Sequence, residues 1–110
     1  MSMYKHDHTK KPSDIPTPYE VCDYLYEILK PYDPKVILDP CAGDHRLTAS
    51  FNSEIINYEI KDGKDFFKAS DPISCSLVMM NPPFNGTRPL FPEKFLDHTL
   101  NLVGFETPIV

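Results

Sequence analysis

Leu77-Val78-Met79-Met80, entered from Ser76, is an unbroken apolar run that ends on Asn81-Pro82-Pro83-Phe84. Alternating apolar and polar residues mark a strand with one wet face; a short continuous run bounded by breakers suits a strand buried on both faces of a parallel sheet. The proline pair cannot continue the ladder, and each proline forces the residue before it into extended geometry. The strand is therefore expected to emerge as a stiff turn into a cleft. There Asn81 offers an amide oxygen, Pro82 a carbonyl with no N–H of its own, and Phe84 a planar face, a set able to grip a flat, amino-bearing ring. The same residues also suit a plain strand followed by a proline turn with Phe84 in the core, so their meaning depends on their surroundings.

Taken in order, residues 1–14 carry no periodicity and are expected to form a flexible N-terminal arm, with one domain over 15–110. Thr17-Pro18-Tyr19-Glu20 has the pattern of a capping box: an N-cap threonine, a proline at the first helical position and a glutamate three residues after the threonine. The helix it opens carries Val21, Tyr24, Leu25, Ile28 and Leu29 on the expected inner face and stops at Lys30-Pro31. Lys35-Val36-Ile37-Leu38-Asp39 reads as a strand ending in an acid. The turn Pro40-Cys41-Ala42-Gly43-Asp44-His45 and a short helix from about Arg46 to Phe51 follow. Strand, tight turn and helix together point backbone N–H groups at a ligand.

A second strand, Ile55 to Glu59, ends in another acid twenty residues after Asp39. In nucleotide-binding sheets an acid at about that distance accepts the ribose hydroxyls, although a solvated strand end explains Glu59 as well. Lys61-Asp62-Gly63-Lys64 reads as a turn, and Asp65-Phe66-Phe67 follows too soon for a crossover helix, so a short strand or loop is expected there. Pro92 opens a helix to about Val103 with Phe95, Leu96, Thr99, Leu100 and Val103 inward and Gly104 as its stop. Glu106 to Val110 looks like the start of one more buried strand. Buried runs alternating with amphipathic helices predict an α/β fold with a mostly parallel sheet of about four to five strands. Their expected order is the segment at Asp65, the Glu59 strand, the Asp39 strand, the Asn81 strand and the C-terminal strand.

Composition narrows the function. With 110 residues, 41% of them hydrophobic and 25% charged, the chain suits one soluble domain and no membrane span. No apolar leader follows the polar start, which makes the cytoplasm the expected location. Cys22, Cys41 and Cys75 are odd in number and widely spaced, so reduced thiols are expected. Neither His6 and His8 nor Cys41 and His45 supplies the four-ligand spacing of a zinc site, and no metal is expected. A net charge of -5 is the wrong sign for nucleic-acid binding by bulk charge. Any such contact must be local, through Lys61, Lys64, Lys68 or Arg88; Lys5, Lys10 and Lys11 in the arm read as solvated surface.

The full set resembles the S-adenosylmethionine-dependent amino-methyltransferases, above all the adenine-N6 DNA methyltransferases of phage and restriction systems. The similarity runs from about Ile15 to Val110. Thr17-Pro18 before a helix resembles the motif that contacts the methionine end of the cofactor, and Asp39-Pro40-Cys41-Ala42-Gly43 resembles the Asp-Pro-x-Ala-Gly cofactor loop. Glu59 resembles the ribose-binding acid, Asp65-Phe66 the pair that reads the cofactor adenine, and Asn81-Pro82-Pro83-Phe84 the catalytic motif. The resemblance implies a Rossmann-like methyltransferase sheet. It assigns Thr17, Asp39, Ala42, Gly43, Glu59, Asp65 and Phe66 to the cofactor, and Asn81, Pro82 and Phe84 to catalysis. His45 departs from the pattern, which closes the loop with a second glycine. The helix after the second strand is missing, and the family's seven-stranded sheet is incomplete here.

The resemblance implies methyl transfer to the N6 amino group of adenine, with DNA favoured over RNA as partner. Related motifs serve enzymes that methylate guanine N2 or adenine N6 in RNA and glutamine in proteins, and those substrates stay open. So does a truncated, non-catalytic chain that binds cofactor or a partner. An unfinished sheet edge at the last segment leads to the expectation of self-association or a missing C-terminal portion.

Overall fold

The computed structural model describes residues 16–82, 91–104 and 106–110; of Phe91 and Pro92 it describes the backbone alone. The arm expected over 1–14, the catalytic-motif residues Pro83 and Phe84, and Arg88 lie outside the described residues.

A parallel sheet of three strands forms the centre, in the order β2-β1-β3. Strand β1 (Val36–Asp39) lies in the middle, with β2 (Glu54–Asn57) on one side and β3 (Leu77–Val78) on the other. Register aligns Val36 with Glu54 and Asp39 with Asn57 across the first pair, and Ile37 with Leu77 and Leu38 with Val78 across the second. The final segment adds to β3: Val78 N donates to Pro108 O at 2.9 Å and Val110 N to Val78 O at 2.8 Å, making a parallel bridge between Val78 and Ile109. The Glu59, Asp39, Asn81 and C-terminal segments are thus neighbours in the expected order, whereas the segment at Asp65 adds no strand. The expected four to five strands reduce to three, with two isolated bridges, Val78 to Ile109 and Glu59 to Lys64, among the described residues.

Side chains alternate along β1 and so feed two separate cores, because successive residues of a strand face opposite ways. Ile37 joins Cys22, Leu47, Leu77 and Met79 on one face, with Leu25, Leu29, Phe51 and Ile55 packed around them. Leu38 joins Phe66, Val78, Phe95 and Leu102 on the other. Helix α1 (Tyr19–Leu29) covers the first face and helix α2 (Phe91–Val103) the second. A strand sandwiched this way must be apolar throughout, which explains the unbroken run at 77–80.

Helix α1 departs from expectation at its start and along its face. Its N-cap is Pro18, with no side-chain cap; Val21 N and Cys22 N bond to the Pro18 carbonyl at 3.0 and 3.1 Å. Thr17 is not the cap because its hydroxyl is engaged elsewhere. Cys22, Leu25 and Leu29 turn inward and Tyr26 sets its edge on Phe51, with ring centroids 5.1 Å apart. Val21, Tyr24 and Ile28 are exposed instead. Both stripes have helical spacing, and only the packing against the sheet chooses between them.

Three further differences follow from short-range geometry. The helix expected from Arg46 to Phe51 is a series of turns, with Ala49 N reaching Arg46 O at 3.4 Å and Phe51 N reaching Thr48 O at 3.1 Å; six residues offer too few bonds to offset helix nucleation. The segment at Asp65 is a single 3-10 turn, Phe66–Lys68, whose Phe67 N donates to the Asp65 carboxylate at 3.0 Å. On α2 Leu96 is exposed, while Leu102 is buried with Phe95 and Thr99. The helix ends as expected at Gly104, whose φ of 82° and N–H bond to Leu100 O close the last turn.

Candidate functional site

Parallel strands deliver their carboxyl ends to one edge of the sheet, and the chain leaves β1 to one side first and to the other later. The loops after β1 and β3 therefore diverge at a switch point, where open α/β sheets bind ligands. Asp39, Glu59 and Asn81 all fall at this edge.

Asp39 is 1% exposed. Its Oδ1 accepts from Cys41 N at 3.2 Å, whereas Oδ2 has no hydrogen-bond partner among the described residues. Burial pushes this carboxyl from 3.8 up to about 7; the Cys41 N–H and the nearby His45 pull it back, and the Glu59 charge adds to the rise. An acceptor so placed suits a donor or cation supplied by a ligand.

Glu59 ties the two turns on either side of it together. Its Oε1 accepts from Gly43 N at 2.8 Å and its Oε2 from Lys61 N at 2.9 Å. Ala42 N donates to Tyr58 O at 2.8 Å, and Tyr58 N donates to Asp39 O at 2.9 Å, so the turn after β1 is laced to the end of β2. A carboxylate oxygen accepts more than one bond, and each retains capacity for a hydroxyl donor. Gly43 has a φ of 58°, and among the described residues nothing lies within 4 Å of where a Cβ would be. His45 has a φ of 68°, in the left-handed region that glycine enters freely. Its Nε2 lies 3.1 Å from Asp62 Oδ2, across the mouth formed by the two turns.

On the other side of the switch point, Asn81 Nδ2 donates to Thr17 Oγ1 at 2.8 Å. Two residues 64 apart in sequence, expected to bind cofactor and substrate respectively, are thus in direct contact. Arg46 Nη1 donates to the Thr17 carbonyl at 3.2 Å, while its Nε and Nη2 grip Asp44 Oδ2 at 2.9 and 2.6 Å. The guanidinium lies 4.0 Å from the centre of the Tyr19 ring. Nothing in the sequence singles out Arg46, since Thr17 and Tyr19, which it joins to its near neighbour Asp44, lie in a distant segment. Cys41 is half-buried beside the Asn81 backbone N–H; burial and the Asp39 charge push its thiol up, which keeps it protonated and unreactive.

The pair Asp65-Phe66 is divided. Asp65 caps its own turn, and Phe66 is in the core, its ring parallel to Phe95 with centroids 6.1 Å apart and edge-on to His98 at 4.9 Å. The Phe66 ring is therefore committed to packing, and the backbone and the Asp65 carboxylate are what this turn presents to a ligand. Pro82 is half-buried at the end of the described stretch. Among the described residues no three His, Cys, Asp or Glu side chains converge as a metal site, and no helix is long and apolar enough to cross a membrane.

Comparison of the chain with protein-family models, with curated proteins and with solved structures finds no match.

Proposed function

We propose that this chain is an S-adenosylmethionine-dependent methyltransferase of Rossmann-like type, acting on the N6 amino group of adenine in DNA. One observation carries the reading. At a single edge of a parallel sheet stand a buried carboxyl with one oxygen unpartnered among the described residues, a glycine turn laced to a glutamate just past β2, and an asparagine leading into a proline pair. These residues fit the cofactor: Glu59 retains acceptor capacity for ribose hydroxyls, and Asp39 Oδ2 offers a buried acceptor beside the Gly43 turn. When bound, S-adenosylmethionine supplies an electrophilic methyl group on a sulfonium.

An exocyclic amino nitrogen is a poor nucleophile because its lone pair is delocalised into the ring. Asn81 Oδ1 and the Pro82 carbonyl accept its two hydrogens and favour a pyramidal nitrogen, while the proline pair stiffens the backbone that carries both. Phe84 is assigned the face of the flipped base by the resemblance, and stacking there offsets the few kcal/mol that flipping costs. The protein's task is alignment more than proton transfer. Exposed Lys64 and Lys68, in the turns that follow Glu59, suit local phosphate contacts on a chain whose net charge is negative.

The test is calorimetry with S-adenosylmethionine followed by transfer of a labelled methyl group to unmethylated DNA. Asn81→Ala is expected to retain cofactor binding and to lower transfer about a hundredfold or more. Cofactor binding without transfer in the unaltered protein favours a binding module. Undiminished transfer by Asn81→Ala removes the catalytic role of the proline turn and the proposal with it.

A further inference from the structure

We infer that Arg46 and Thr17 are positioning residues that hold the Asn81 carboxamide in one orientation at the site. The inference rests on the methyltransferase reading and extends it to residues outside the motif.

An exposed asparagine turns easily about its last torsion, and a half-turn exchanges acceptor for donor. For Asn81 to accept from an amino group, its oxygen must be kept outward and its nitrogen occupied. Thr17 Oγ1 occupies that nitrogen at 2.8 Å, which places Oδ1 on the side of the amide away from Thr17. The hydroxyl is only as well placed as its own backbone. That backbone is restrained twice: Pro18 confines Thr17 to extended geometry, and Arg46 Nη1 takes its carbonyl at 3.2 Å.

Arg46 in turn is fixed from the opposite side. Its fork is closed on the Asp44 carboxylate by Nε and Nη2, and its plane rests 4.0 Å from the Tyr19 ring centre. Its side chain is one-fifth exposed, so the contacts are partly shielded from water. Asp44 directly follows Gly43, whose N–H is held by Glu59. A continuous path of contacts therefore runs from the turn assigned to the cofactor, through Arg46 and Thr17, to the residue assigned to the substrate. A lysine at 46 could keep the charge but not the fork, because an ammonium cannot bind the carboxylate and the carbonyl in one plane.

The test uses the full chain and a readout that needs no activity. In a nitrogen-15 spectrum the side-chain amide pair of Asn81 is identified by its loss in Asn81→Ser. Thr17→Val and Arg46→Met are each expected to move that pair toward the position of a solvated asparagine. Thr17→Ser leaves it near its original place, and Arg46→Lys behaves as Arg46→Met. In transfer assays Thr17→Val and Arg46→Met should lower kcat about tenfold to a hundredfold, the scale for a misplaced group, while KM for DNA changes less than about threefold. Thr17→Val is nearly isosteric and keeps the question answerable if Arg46→Met does not fold. An unmoved amide pair in Thr17→Val overturns the inference; so does a moved pair with unchanged kcat. If the unaltered protein transfers no methyl group, the methyltransferase reading fails and the positioning role falls with it, whereas active protein with an unmoved pair sinks the positioning role alone.

Discussion

Asp39 bears opposed demands: burial disfavours its charge, and a single N–H bond on Oδ1 does little to restore it. Its carboxyl sits near 7 in the folded chain against 3.8 when solvated, so over that interval the folded state holds a proton that the unfolded state has released. The stability contributed by this difference is complete below about pH 4 and is lost as pH rises through 7, a change of about 4 kcal/mol. Asp39→Asn keeps the shape and removes the titration. It is expected to melt well above the unaltered protein at pH 8 and near it at pH 4, and an offset independent of pH would show that Asp39 is not the group responsible. Glu59→Ala tests the neighbouring carboxylate: cofactor affinity should fall by about 1 to 3 kcal/mol as hydroxyl donors lose a charged acceptor. Calorimetry reads the loss, and unchanged affinity returns Glu59 to a structural clamp on Gly43. Both acids were legible in the sequence because they end apolar runs twenty residues apart. Arg46 was not, because its carbonyl partner is 29 residues away and only the packing of α1 brings it near.

At the scale of elements, sequence pattern located what has a strong local signature. Helix α2 ends where Gly104 requires it, and β1 and β3 lie where the apolar runs lie. Pattern failed where two local solutions compete. The stripe Cys22, Leu25, Leu29 and the stripe Val21, Tyr24, Ile28 have equal claims on paper, and the sheet accepts the first. Thr17 has the composition of an N-cap, yet a tertiary hydrogen bond to Asn81 outcompetes a local one. Where the signal is local, substitution effects should be local too. Gly104 has a φ of 82° and, among the described residues, no atom within 4 Å of where a Cβ would lie, so Gly104→Ala introduces backbone strain without a clash against them. The expected cost is about 1 to 2 kcal/mol in urea unfolding. Gly104→Asn should cost less, since asparagine tolerates this region. Equal stability of Gly104→Ala and the parent would mean that the turn relaxes to another conformation.

For the whole molecule, the order β2-β1-β3 with Ile109 beyond β3 brings three loop ends to one edge while α1 and α2 close the two faces. The elements contribute unequally to that edge. The turn after β1 is held to the end of β2 by Glu59 and the Tyr58 carbonyl, whereas Asn81 is held to the start of α1 by Thr17. A ligand seated at the switch point would join both sides and would bind the folded chain alone, since the unfolded chain brings none of these groups together. Binding of that kind raises stability by mass action: at about a hundred times Kd the gain is about 2.7 kcal/mol. In a domain of this size each kcal/mol moves Tm by about 4–8 °C, so S-adenosylmethionine at that excess should raise the melting point by about 10–20 °C. S-adenosylhomocysteine, which lacks only the transferable methyl, should act similarly, and adenosine less. In Glu59→Ala the shift at the same ligand concentration should shrink, while Asn81→Ala should keep most of it, because Asn81 is assigned to the base and not to the cofactor. A melting point unmoved by millimolar S-adenosylmethionine in the unaltered chain would remove the cofactor from the reading, and the edge would then be a scaffold whose ligand carries some other chemistry.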